Sequence, residues 1–234
     1  YPQRFTLAEH APVREVELTK SCGRLHIGNK TVVADKIVLC TNGFEKFTIK
    51  NLLGPDLGPA FHELVRGVVG YMAGYGDTND KDPIAISYMP KNGGATAAGE
   101  TDLYYYLTRR PFEIEPGARH NLVCIGGPEA LMDDTNAYAP DHPYPSEAQA
   151  EIDAFVRRTY APAPADIEYK FLWHGLMGYT PTNLRCVGPE PINPVLLYNL
   201  GCNGVGILPS MYGGRTIARH LAGEAVAPSI FSPR

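Results

Sequence analysis

No apolar run in this 234-residue chain approaches the roughly 20 residues that a membrane-spanning helix needs. The longest, Lys36 to Cys40 and Pro194 to Tyr198, are a quarter of that length. Charge of one sign is also lacking: 25 acidic against 21 basic residues leave a net −4 spread along the chain, which gives a polyanion nothing to grip. Neither nucleic acid nor a membrane is expected as a partner. The five cysteines Cys22, Cys40, Cys124, Cys186 and Cys202 include no C-x-x-C pair, which argues against a disulfide framework and a zinc site and for a reducing, cytoplasmic location. His10, His26, His62, His120, His142 and His220 show no metal-ligand spacing, so no metal is expected. A Gly-x-Ser-x-Gly elbow is missing too, which removes the commonest hydrolase signature. The chain opens Tyr1-Pro-Gln-Arg4 without a methionine or a basic and apolar leader, and reads as cut inside a longer protein. Internal repeats and low-complexity stretches are absent.

What is present is a 44% hydrophobic composition, enough for one large domain or two modest ones. Between Arg14 and Ala34, apolar residues alternate (Val16, Leu18, Leu25, Ile27, Val32), interrupted at Ser21 to Gly23 and Gly28 to Lys30. Glycine and asparagine accept positive φ, so these breaks predict the turns of a small antiparallel meander. Ile37 to Cys40 is continuously apolar and runs straight into Thr41, Asn42 and Gly43, the pattern of a central strand ending in a ligand-facing loop. Strands are then expected at 65–75, 84–89, 103–109 and 122–125, forming a mostly antiparallel sheet. Ser146 with Gln149 reads as a capping box, opening a helix whose apolar positions are Ile152, Phe155, Val156 and Tyr160. Beyond the Ala161 to Pro164 linker come strands at 169–173 and 196–200 and a last helix from about Ser210 to Ala222, stopped by Gly223.

The stretch from Leu196 to Gly214 is the most informative: a strand, a loop carrying Gly201, Asn203, Gly204, Val205, Gly206 and Ile207, and then a helix. Glycines let the backbone approach a flat or anionic ligand, and a helix start aims free N–H groups and a positive dipole end at it. Glycine clusters also serve tight packing, and G-x-x-G-x-G is not the dinucleotide fingerprint. Read with Trp173 to Thr182, Val187 to Pro189, and Asp35 to Gly43, the block resembles the C-terminal signature of the glycine and D-amino-acid oxidase (DAO) superfamily of FAD enzymes. The resemblance covers nearly the whole chain, with Cys40 standing where those proteins carry alanine.

The resemblance implies an α/β (α+β) fold. Residues 1–50 and 167–234 would form the C-terminal part of an FAD-binding domain, and 51–166 a substrate-binding domain. It implies FAD with its pyrimidine edge at the Gly204 to Gly206 loop, contacted by Thr41, Asn42, Gly43, Trp173, Gly175, Gly201, Asn203, Gly204, Val205, Gly206 and Ile207. The reaction implied is hydride transfer to the flavin from a carbon bearing an amine, with reoxidation by oxygen or another acceptor. Two departures narrow this. Where relatives carry a carboxylate-binding arginine, Met177 stands here, which favours an amine over a simple amino acid. No cysteine stands near Gly175, so the flavin is expected to be non-covalent. A third departure is that the strand, Gly-x-Gly-x-x-Gly turn and helix that receive the pyrophosphate are absent. A missing N-terminal segment or partner chain is therefore expected, and the chain alone is expected to hold FAD weakly or not at all. The rival reading is a non-catalytic fragment or binding module.

Individual residues each carry two readings. Tyr104 and Tyr106, on one face of a strand, and Arg109 (or its neighbour Arg110) would orient an amine and anchor a carboxylate, or would pack the strand. His174 would accept a proton near the flavin, or be structural. Asn203 would touch the flavin, or simply tolerate left-handed backbone. Arg185 would reach the site, or sit on the surface, the reading favoured for a charged residue.

Overall fold

The computed structural model describes residues 2–77, 82–88, 105–113, 116–117, 120–160 and 166–233. In chain order the strands and α-helices are β1 (Glu15–Leu18), β2 (Gly23–Ile27), β3 (Lys30–Ala34), β4 (Ile37–Leu39), β5 (Thr48–Asn51), α1 (Gly58–Leu64), β6 (Arg66–Asp77), β7 (Ile84–Tyr88), β8 (Tyr105–Phe112), β9 (His120–Leu131), α2 (Ser146–Thr159), β10 (Tyr169–Tyr179), β11 (Cys186–Pro189), β12 (Leu196–Leu200) and α3 (Ile207–Leu221). Tyr104 lies outside the described residues. The chain divides into two compact units, one of Tyr1–Gly67, Met132–Ala137 and Met177–Arg234, the other of Val68–Leu131 and Tyr138–Leu176.

The first unit holds two sheets. One has the order β3-β2-β1-β5, with Val16 opposite Leu25 in an antiparallel pair and opposite Ile49 in a parallel one. The parallel strand β5 makes this sheet more than the expected meander; its sequence, with one apolar residue, has no periodicity to reveal it. The other sheet has the order β11-β12-β4, and β4 runs parallel to β12 with Leu197 opposite Val38. Period-2 alternation sends Val16, Leu18, Ile37, Leu39, Leu196 and Leu200 into one cluster with Leu57 and Phe61 around α1. Complete burial of a side chain such as Leu18 contributes about 2 kcal/mol. On the other face of β12, Leu197 meets Val187 and Ile217 of α3.

In the second unit the sheet order is β10-β6-β9-β8-β7. The β6–β9, β9–β8 and β8–β7 pairs are antiparallel, and β6 shifts register between Gly70 and Met72. Ala73, Tyr75, Leu107, Val123 and Ile125 of the sheet pack on Ile152, Phe155 and Val156 of α2.

Two helix starts differ from expectation. Pro145, in extended conformation, occupies the N-cap of α2, so Ser146 is already helical and makes no side-chain cap; the capping box is not formed. Helix α3 begins at Ile207 rather than Ser210, because Pro209 falls in the first turn, where its missing N–H has no carbonyl to lose. Strand β10 also runs six residues past Trp173, to Tyr179.

Candidate functional site

Three segments far apart in sequence lock together in the first unit. Asn42 follows β4 with φ of 53° and accepts the Gly178 N–H at 2.7 Å through Oδ1. Gly178 in turn accepts the Asn203 N–H at 3.1 Å. Asn203, with φ of 47°, accepts the Thr180 N–H at 2.8 Å and donates to the Gly201 carbonyl at 3.2 Å. Both asparagines hold left-handed backbone that a β-branched or bulky residue would strain. A Cβ at Gly178 would lie 2.7 Å from the Asn42 backbone, so only glycine permits this approach.

Beneath the loop lies Arg185. Against expectation it is buried, 7% exposed, and it donates to the Gly201 carbonyl at 3.2 Å and to Asn199 Oδ1 at 2.7 Å. Its Nε is buried without a partner. Desolvation lowers its pKa, opposed by the nearby Cys202 and Cys40 thiols. Burial pushes the Cys40 thiol up, opposed by Arg185. Composition alone assigns an arginine to the surface, so this placement has no sequence signal.

Above the loop the arrangement changes character. Helix α3 starts at Gly206 and Ile207 with no side-chain cap, which leaves its first N–H groups without intrahelical partners. Around that start Val205 is 68% exposed, Ile207 80%, Leu208 76% and Met211 67%. The Thr41 hydroxyl, at the end of β4, is buried with no partner. The uncapped helix start and its open apolar side chains follow β12, and Thr41 follows β4, the strand parallel to β12. Gly201, Asn203, Gly204, Val205, Gly206 and Ile207 are thus brought together with Thr41, Asn42 and Gly43 by the hydrogen bonds above.

The remaining candidates belong to the second unit. On β8, Tyr105 stacks on Phe155 with centroids 4.0 Å apart and donates to Glu151 at 2.5 Å, while the Tyr106 ring covers Gly126 on β9. Strand alternation places Arg109 on the Tyr105 face, not beside Tyr106. Its guanidinium donates to the Asp82 carbonyl at 2.8 and 3.1 Å. The structure therefore does not bring Tyr106 and Arg109 together. His174 Nε2 lies 2.9 Å from the His142 carbonyl and Nδ1 lies 3.1 Å from the Tyr138 hydroxyl. That carbonyl accepts only from an N–H, so in the neutral ring Nδ1 accepts from Tyr138. Trp173 precedes it, 38% exposed, and a Cβ at Gly175 would meet nothing within 4 Å.

Cross-strand pairing also gathers Glu15, Glu17 and His26, a grouping that local spacing conceals. Both carboxylates are already engaged, Glu15 by Lys50 at 2.6 Å and Glu17 by Arg24.

A parallel strand pair feeding a glycine-rich loop and an uncapped helix in one unit, and a largely antiparallel sheet in the other, define a two-unit mixed α/β fold. The chain belongs to the FAD dependent oxidoreductase family DAO, whose model matches residues 4–220. No curated protein matches the sequence. Among solved structures, glycine oxidase from Geobacillus kaustophilus is similar, with TM-score 0.65, 16% identity, and coverage of 97% of this chain and 52% of that one. Fructosyl amine: oxygen oxidoreductase (Amadoriase I) from Aspergillus fumigatus follows at TM-score 0.62, 16% identity, 95% and 48% coverage. NikD, an unusual amino acid oxidase essential for nikkomycin biosynthesis, gives TM-score 0.66, 15% identity, 95% and 54% coverage. This chain spans about half the length of each.

Proposed function

We propose that this chain forms the flavin-edge half of an FAD-dependent oxidoreductase acting on a small-molecule amine. The observation that carries the reading is the interlocked Asn42, Gly178 and Asn203 network, which presents the uncapped start of α3 beside exposed Val205, Ile207 and Leu208. When bound, FAD supplies the acceptor for a hydride taken from the carbon next to the amine. The backbone N–H groups opening α3 and the helix dipole favour negative charge at that end. Buried Arg185 adds a fixed positive charge beneath the loop and holds Gly201 in place. The exposed apolar side chains at the helix start exclude water from whatever covers them. Thr41, with its orphaned hydroxyl, is ready to bond a polar group of the cofactor.

With methionine at position 177, the chain lacks the arginine that would select a simple amino acid, so a larger amine is the expected substrate. Tyr106 serves to orient that amine, Trp173 and Gly175 lie on the strand leading to Gly178, and His174 acts as a positioning residue rather than a free base because both ring nitrogens are engaged. Cofactor binding is non-covalent in this reading. The test is a visible spectrum of the purified chain after FAD is added and washed away. Retained flavin bands, bleached anaerobically by one of a panel of primary and secondary amines, are the expected result. A colourless protein that also fails to quench flavin fluorescence in titration overturns cofactor binding by this chain.

A further inference from the structure

We propose that the second unit carries a binding site for an aromatic carboxylate, in a hollow on the face of its sheet opposite α2. The hollow originates in the sequence of β6. Gly74 stands opposite Cys124 and Gly76 opposite Leu122, so on this face two successive positions of β6 contribute no side chain. The result is a cavity of about 550 Å³ lined by Arg110, Phe112, Leu122, Cys124 and the run Lys170 to Trp173. That volume falls within the range of small-molecule sites, roughly 300–1,000 Å³.

The walls select the ligand. Phe112 and Phe171 face each other edge-on, with centroids 6.2 Å apart and planes at 89°, and Phe171 lies within 3.4 Å of a Cβ position on Gly74. Phe171, Leu172 and Trp173 keep 38–40% of their surface open, which leaves apolar and aromatic area for a flat ring to cover. The two cations differ. Lys170 is paired with Glu168 at 2.7 Å, whereas no carboxylate among the described residues pairs with Arg110. A guanidinium that lines an apolar hollow and has no carboxylate partner among the described residues takes a carboxylate in bidentate fashion and repels an ammonium group. Inorganic phosphate satisfies the charge but leaves the rings uncovered. The second unit alone lines the hollow, so the site does not rest on the flavin reading.

Trp173 is the only tryptophan in the chain, so its fluorescence reports directly from the hollow. The whole chain, titrated with phenylacetate, is expected to give a saturable change in that signal. Neutral phenylacetamide is expected to bind about tenfold or more weakly, because it lacks the charge-assisted pair, and acetate and inorganic phosphate to give no saturable change. Arg110→Met is expected to weaken phenylacetate by a similar factor without altering phenylacetamide, and Arg110→Lys to keep part of the preference. Equal binding of the amide, a saturable response to phosphate or acetate, or no response to phenylacetate overturns the proposal. So does undiminished phenylacetate binding by Arg110→Met. If that variant fails to fold, as judged by circular dichroism, the amide comparison and Arg110→Lys decide.

Discussion

Gly178→Ala isolates the contact on which the first unit's three-segment lock depends. The added methyl would meet the Asn42 carbonyl carbon and oxygen at 2.7 Å and Val65 Cγ1 at 2.8 Å. The valine could turn away; the Asn42 backbone could not, because its φ of 53° and its side-chain bond to Gly178 fix it from both ends. Overpacking of this kind costs about 1–3 kcal/mol, and the hydrogen bond that must lengthen adds about 1 kcal/mol. A total of about 2–4 kcal/mol corresponds to a fall in Tm of about 4–16 °C for a chain of this size. Gly175→Ala, three residues back on the same strand, is the control. A methyl there meets nothing within 4 Å, so the variant is expected to match the parent or to gain up to about 1 kcal/mol from a stiffer unfolded chain. Thermal and urea unfolding followed by circular dichroism would compare the two. A Gly178→Ala protein as stable as Gly175→Ala would refute the steric argument and, with it, the claim that glycine is required at the crossing.

At Asn203, the left-handed conformation and the bond to Thr180 separate by substitution: Asn203→Gly loses only the side-chain bonds, while Asn203→Ala also forces φ of 47° on an L side chain. The alanine variant is expected to be less stable than the glycine variant by about 1 kcal/mol in urea denaturation. Burial pushes Tyr75 and Tyr144 up to about 12, above the value of about 10 in an unfolded chain. A folded-state pKa above the unfolded one means that this stability is intact below about pH 10 and is lost as pH rises from there toward 12. Urea midpoints should thus be steady from neutral pH to about pH 9 and fall above about pH 10, less steeply in Tyr75→Phe. Arg157 pairs with Asp153 one turn away on α2 with both groups partly exposed, so Arg157→Ala should change stability by no more than about 0.5 kcal/mol.

Much of the framework was legible because it obeys simple periods. Ile37 to Leu39 is apolar without interruption and is a strand; Ile152, Phe155 and Val156 recur at helical spacing and face the second unit's core. Elements whose apolar content is too small to show a period escaped. Strand β5 has only Ile49, and its place is set by parallel pairing with β1 rather than by local preference. Helix α1 contains Pro59 and opens at a glycine, which locally read as turn. The strand, glycine-rich loop and helix from Leu196 onward were legible as elements, although glycine density alone serves tight packing as readily as a ligand. The loop's partners were not: Asn42 and Gly178 are 136 residues apart, and nothing near either announces the other. Arg185 escaped for a different reason, being a charged residue whose burial is decided by carbonyls that fold around it. The separation of Arg109 from Tyr106 was within reach, because an odd spacing on a strand always means opposite faces.

The parallel pairing of β4 with β12 has a consequence in time. Lys36 at the start of β4 bonds the Pro194 carbonyl beside β12, 158 residues later. At roughly 5–20 residues per second, a ribosome needs roughly 10–30 s to supply that partner. Throughout that interval Ile37 and Leu39 wait without the strand that covers them, while most of the second unit, encoded in between, is already complete and able to fold. The growing chain thus emerges with its later-encoded unit complete before its first, and β4 is the apolar segment left open longest.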